Sequence, residues 1–209
     1  MSCWLVALCG FVIFELYYFF RGATTALIGQ VRRPLNISDE ANLYGICTLN
    51  DVDFFGNHMN NARFLRELDF ARIDFFVRLG ALRIIRAAGN TVWVGASTIR
   101  YRKPIYLFSP YRIRTRIAHW DSHDVYLSHR FESLNGFVHA IGYSKLVIPK
   151  VEIPELINRA SLGPVDIPVP DEALKAWIAY LNSDRQQLYD ELGHQPEKSK
   201  VNDTNAVAS

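Results

Sequence analysis

The chain has 209 residues, 49% of them hydrophobic, which is ample for one globular domain with a core and appendages. A formal net charge of +2 and a pI near 8.4 are too mild for a nucleic-acid partner. Three cysteines, Cys3, Cys9 and Cys47, without paired spacing exclude a disulfide framework and a zinc site, and a reducing compartment fits.

Residues 3–20, CWLVALCGFVIFELYYFF, are apolar except for Glu15, a run of 18 at the lower edge of a membrane-spanning helix. No basic residue precedes the run, and bulky Tyr17, Tyr18, Phe19 and Phe20 close it where a signal peptide would need small residues. It reads as a membrane anchor within residues 1–29. Cleavage after Ala26, giving a secreted protein, is one alternative, and a buried N-terminal helix, which Glu15 favours, is another. Arg21, Arg32 and Arg33 follow the run, so the body is expected to face the cytosol at the endoplasmic reticulum membrane.

After a short connector, residues 44–49 read as a strand. The stretch DVDFFGNHMNN, residues 51–61, then places two Asp, a Gly, a His and three Asn ahead of a helical pattern. Phe64, Leu65, Leu68, Ala71, Phe75, Phe76 and Leu79 recur at helical spacing over residues 60–82, with Gly80 near the end, predicting one long helix. Four β-like runs follow: TVWVGASTIRYRK, YRIRTRIAHW, DVYLSHRFES and GFVHAIGYSKLVI. Turn residues separate them, and Asn135-Gly136 is a strong hairpin signal. Pro149, Pro154, Pro164, Pro168 and Pro170 mark an irregular stretch, after which Leu174, Trp177, Ile178, Leu181, Leu188 and Leu192 form an amphipathic helix that stops at Gly193. The expected organisation is an anchor (1–29), a domain (30–150), a Pro-rich connector with a helix (151–193) and a disordered tail (194–209).

A strand, one long helix and four antiparallel strands make an α+β layout in which a curled sheet wraps an apolar helix. DVDFFGNHMNNARFLRELDFAR resembles the motif of hotdog-fold thioesterases of the 4-hydroxybenzoyl-CoA type, where an Asp-x-Asp strand end leads through Gly-His-x-Asn-Asn into the central helix. IRYRKPIY resembles that family's Ile-x-Tyr-x-x-Pro strand end. The N-terminal apolar run, HMNNARFLRELDFAR and the C-terminal helix are most similar to the membrane-associated animal branch, thioesterase superfamily member six.

The resemblance implies acyl-CoA thioester hydrolysis by a homodimer, with Asp53 as nucleophile or base and His58 and Asn61 orienting the turn and substrate. Free N–H groups at the helix start, those of Asn60 or Asn61, would polarise the acyl carbonyl. Asp53 and His58 are five apart where the family pattern has four. A non-catalytic acyl-CoA or lipid-binding module is the other reading. Asp69 is a weaker candidate for a second acid; its competing role is a salt-bridged helix residue. Arg100, Arg102, Lys103 and Arg114 lie in the densest basic cluster and are candidates to hold the phosphates of coenzyme A. His119, His123, His129 and His139 lack ligand spacing, so neither metal nor cofactor is expected.

Overall fold

The structure, a computed structural model, describes Trp4 and residues 16–54, 56–161 and 165–192, in two compact units, Met1–Val169 and Pro170–Ser209. The first unit carries helix α1 (Leu16–Val31), strand β1 (Ala41–Ile46), helices α2 (Asn61–Arg78) and α3 (Ala81–Ala87), strands β2 (Trp93–Tyr101), β3 (Pro110–Trp120), β4 (Asp124–Ser133) and β5 (Val138–Val147), and helix α4 (Ile153–Ala160). Helix α5 (Glu172–Leu192) lies in the second. The strands form one antiparallel sheet in the order β1-β3-β4-β5-β2, the α+β layout expected from the sequence.

Strand alternation decides what the sheet offers α2. In β3, Tyr111, Ile113, Thr115 and Ile117 are buried while Arg112, Arg114 and Arg116 stand on the other face. Two apolar clusters follow from this. Around the N-terminal half of α2, Phe64, Leu68 and Ala71 pack with Met59, Ile105, Ile113, Phe131 and Ala140. Around its C-terminal half, Phe75, Phe76 and Leu79 pack with Ile117, Trp120, Leu127 and Leu146, and with α3 and α4 through Ile85, Ile153 and Leu156.

Several boundaries differ from the sequence reading. The first strand runs over 41–46, because its pairing with β3 ends at Ile46↔Pro110 and Asp51 Oδ2 then draws in the Thr48 N–H (2.9 Å) and hydroxyl (2.7 Å), closing a turn. The long helix ends at Arg78, and Gly80, at φ 76°, redirects the chain into α3. The Pro-rich stretch contains α4, with Pro154 in its first turn, where a missing N–H costs nothing. The expected connector after residue 20 is largely α1. Of the anchor expected at residues 3–20, only Trp4 and residues 16–20 are described, and the expected tail lies outside the described residues. Among the described residues, no helix is long and apolar enough to cross a membrane.

Helix α1 is bound to α2 through buried charge. Glu67 and Asp74 on α2 are 2% and 1% exposed. Arg21 grips both Glu67 oxygens, with Nη2 2.6 Å from Oε2, and stacks 4.5 Å over the Phe70 ring, while the Tyr111 hydroxyl donates to Oε2 at 2.6 Å. Asp74 accepts from Arg32 at 3.0 Å and Arg78 at 3.2 Å, and Tyr18 donates to Asp69 at 3.1 Å. Burial pushes the Glu67 carboxyl above its usual range, against the pull of Arg21, and raises the Tyr111 hydroxyl well above its own. Removing one partner of such a pair typically costs about 3–5 kcal/mol. Gly29 makes the close approach possible, since a Cβ there would meet Val77 Cγ1 at 3.1 Å.

A polar belt crosses the core between the two clusters. Arg72 Nη1 donates to Ser144 Oγ at 3.0 Å, and Thr115 and His129 share a hydrogen bond of 3.0 Å. His129 is fully buried, and among the described residues its Nε2 has no partner. Burial, then the Arg72 charge, push its pKa down from 6.5 to about 3. The unfolded chain therefore binds a proton that the native one refuses, so native stability is lost as pH falls from about 6.5 towards 3, at up to about 1.4 kcal/mol per pH unit. His129→Gln is expected to flatten that slope between pH 6.5 and 5 in thermal unfolding; parallel slopes for variant and parent would show that His129 does not contribute.

Candidate functional site

The polar stretch before α2 folds back on itself. The Asp53 N–H donates to the His58 carbonyl (2.9 Å), Val52 bridges Met59, and the Asn60 N–H donates to the Asp51 carbonyl (2.8 Å), a short antiparallel ladder. Gly56, at φ 73°, lies at its tip and lets it close. Asp53 lies opposite His58 in this ladder. One Asp53 oxygen, Oδ1, accepts from the Gly56 N–H at 3.1 Å, and Oδ2 is 3.7 Å from His58 Nε2. The other His58 nitrogen contacts Asn57 Oδ1. Both side chains are partly exposed, Asp53 at 18% and His58 at 34%.

The second motif meets the first here. Met59 donates its N–H to the Ile105 carbonyl at 2.8 Å, His58 bridges Tyr106, and the Tyr101 hydroxyl donates to the Asn61 carbonyl at 2.9 Å. The amides at the helix start are nearly all engaged: Asn60 N–H on Asp51, Ala62 N–H on Asn60 Oδ1 (2.9 Å) and Arg63 N–H on the Asn60 carbonyl (2.9 Å). Asn60 is therefore the helix cap and its own N–H is not the free donor expected from sequence. Among the described residues, the Asn61 N–H has no acceptor in this first turn. This donor lies at the positive end of the α2 dipole, and Leu49, Phe54, Tyr106 and Phe108 in the adjoining loops are exposed. Phe108 holds a left-handed φ of 61°, a strained conformation for a side chain of that size.

The expected basic cluster is not gathered at this site. Arg114 lies on the sheet face turned from α2, bound by Glu40 and by Glu132 at 3.3 Å. Arg100 is exposed on that same outer face of β2, out of step with Ile99 and Tyr101. Arg102 and Lys103 sit over the Phe137 ring at 5.6 and 5.5 Å, beside the β4–β5 hairpin. Asp69 is held by Tyr18 and Arg72 as a salt-bridged helix residue.

Two carboxylates were missed. Asp51, 4% exposed, anchors the turn through Thr48; Glu67 was hidden among the apolar helix positions. An acid at the spacing of core residues, as at Glu67 and Asp74, is the signal that marks the second kind. Among the described residues, no group of His, Cys, Asp or Glu is arranged to hold a metal ion.

A family model described as Thioesterase-like superfamily matches residues 47–178. The chain is 38% identical over 190 residues to Protein THEM6 of Drosophila melanogaster, covering 90% of this chain and 98% of that one. To Protein THEM6 of Danio rerio it is 36% identical, over 88% of this chain and 91% of that one. Its fold is similar to that of a 1,4-dihydroxy-2-naphthoyl-CoA thioesterase from Synechocystis, with a TM-score of 0.51 and 14% identity over 58% of this chain and 95% of that one. Helix α1 precedes the matched residues of the family model.

The geometry separates the two aspartates by role. Asp51→Asn keeps one acceptor but loses the charge that draws both Thr48 donors, so it is expected to cost about 2 kcal/mol in urea unfolding. Asp53→Asn, on a partly exposed side chain, is expected to cost less than about 1 kcal/mol. Equal losses would contradict the assignment.

Proposed function

We infer the activity of this chain from its family: it belongs to the Thioesterase-like superfamily and, within it, to the THEM6 proteins. The reading that the site supports best is hydrolysis of an acyl-CoA thioester at the start of α2. Attack on the acyl carbon breaks the C–S bond, leaving a carboxylic acid and a CoA thiolate that takes up a proton. Asp53 serves either as the base that deprotonates the attacking water or as the nucleophile, forming an acyl anhydride that water then hydrolyses to release the acid and restore Asp53; His58 orients its carboxylate. The Asn61 N–H donates to the carbonyl oxygen as it gains charge, aided by the α2 dipole. The observation that carries this reading is the Asp53 carboxylate, steadied through one oxygen by Gly56 with the other turned to His58 and still reachable from solvent. Neither metal nor cofactor is required by this scheme.

A homodimer fits the same reading. Strand β2 is a nine-residue sheet edge with Trp93, Val94 and Tyr101 exposed, and an unpaired edge of that length calls for cover. A second copy paired along β2 would supply it and would enclose the aromatic rim of the site. The apolar run of residues 3–20 tethers the domain to the endoplasmic reticulum membrane, with Arg21, Arg32 and Arg33 favouring the cytosolic side.

Turnover of an acyl-CoA panel by the full chain in lipid vesicles, against Asp53→Asn, tests the activity. The variant is expected to lose at least ~10²-fold in rate while still binding acyl-CoA. An unchanged rate would remove Asp53 from the mechanism. Absent turnover in the parent with acyl-CoA binding retained would favour the lipid-binding module.

A further inference from the structure

Helix α1 is built inside out. The side facing α2 carries Tyr18, Arg21, Gly22, Thr25, Gly29 and Arg32, which are polar or small. The opposite line, Leu16, Phe20, Ala23, Leu27 and Val31, follows helical spacing and faces solvent, with Phe20 69%, Leu27 63% and Val31 85% exposed. A surface helix normally shows the reverse. The charge pairs with Glu67 and Asp74 fix this orientation, so the apolar line cannot roll inward without stranding two buried carboxylates.

What covers this face is indicated by the chain around it. Residues 16–20 end the apolar run and begin the docked helix at the same time: Tyr18 is hydrogen-bonded to Asp69 and lies under the Arg66 guanidinium, 4.6 Å away. No linker separates run from domain. If the run enters a bilayer, α1 is brought to its surface with the apolar line outward. Beside that line runs a groove of about 1210 Å³, lined by Gly22, Ala26, Ile73, Val77 and Leu82, with Arg83 and Arg86 also among its lining. Both arginines are exposed and make no ion pair among the described residues. Apolar side chains on one helix next to unpaired cations match the acyl boundary and phosphates of an anionic membrane surface, and an aqueous protein partner would find few hydrogen-bonding groups along that line.

We propose that α1 lies in the plane of an anionic bilayer, its Leu16, Phe20, Leu27 and Val31 line sunk into the acyl boundary and Arg83 and Arg86 resting on lipid phosphates. This rests on the membrane tether of the preceding section and goes beyond it: the domain is seated on the membrane through its own fold and does not hang from a leash. The α1 face of the domain then always points at lipid, the phase into which a released fatty acid would partition.

The experiment uses the full chain with Cys3→Ser and Cys9→Ser. Cys47 can stay, because it is buried and its thiol is pushed up to about 11. Nitroxides are attached one at a time at positions 20, 27 and 31, and at 135 on the exposed hairpin, on vesicles of phosphatidylcholine with phosphatidylserine. Labels at 20, 27 and 31 are expected to collide with oxygen far more than with a water-soluble nickel chelate, and the label at 135 the reverse. Arg83→Glu with Arg86→Glu is expected to leave flotation intact but to raise nickel collision at 20, 27 and 31 severalfold on these vesicles and not on neutral ones. Flotation with vesicles while labels at 20, 27 and 31 remain open to nickel would leave the tether standing and overturn the in-plane seat. Labels shielded from both reagents would mean that a second chain covers the face, which also overturns it. Failure to float at all would remove tether and seat together, whatever the thioesterase assay reads.

Discussion

Two carboxylates on the central helix lie where water does not reach, and the rest of the first unit is arranged around neutralising them. Glu67 and Asp74 would each be costly alone. Arg21 on α1 and Arg32 just after it, both ahead of the family-matched residues, supply the charge, and Tyr111 and Arg78 complete the hydrogen bonding. The consequence for the fold is direct: α1 is an integral layer of the domain. A boundary drawn at residue 29 or 30 would part Arg21 from Glu67 and leave that buried acid with the Tyr111 hydroxyl alone, although Asp74 would keep Arg32 and Arg78.

The same helix sets up the chemistry at its other end. Because α2 is clamped between sheet and α1, its first turn is a fixed platform, and the short ladder of residues 51–53 against 58–60 hangs Asp53 and His58 beside it. Asp51 and Asn60 are spent on holding this platform, Asp51 on Thr48 and Asn60 on the cap. That leaves Asp53, His58 and the Asn61 N–H as the groups still available for reaction. In the proposed reaction these groups act by position, with a carboxylate, a water and a donor held in line.

Much of this was legible in the sequence because local patterns and global fold agree. The alternation in YRIRTRIAHW sorted β3 into a buried and a charged face, Asn135-Gly136 marked the β4–β5 hairpin, and the Asp-x-Asp and Ile-x-Tyr motifs that carry the resemblance meet at the start of α2. The misreadings have physical causes. Residues 21–31 carry no apolar stripe that faces the core, since their inward face is polar, so periodicity could not separate a docked helix from a connector. Arg114 of β3 was a candidate for the phosphates of coenzyme A, yet cross-strand Glu132 and the sequence-distant Glu40 hold it. Which first-turn amide is free was beyond sequence, because it depends on the Asp51 carbonyl reaching Asn60 through the folded ladder.

The first unit depends on the coupling between α1 and α2. A double-mutant cycle of Arg21→Met and Glu67→Gln, read by chemical unfolding of the full chain, measures it most directly. The pairing seen between these side chains predicts that Arg21→Met alone is the most damaging of the three variants, and that adding Glu67→Gln restores at least ~2 kcal/mol by removing the stranded charge. Losses that simply add, to within about 0.5 kcal/mol, would contradict it, for α1 would then rest on the domain without being required by it.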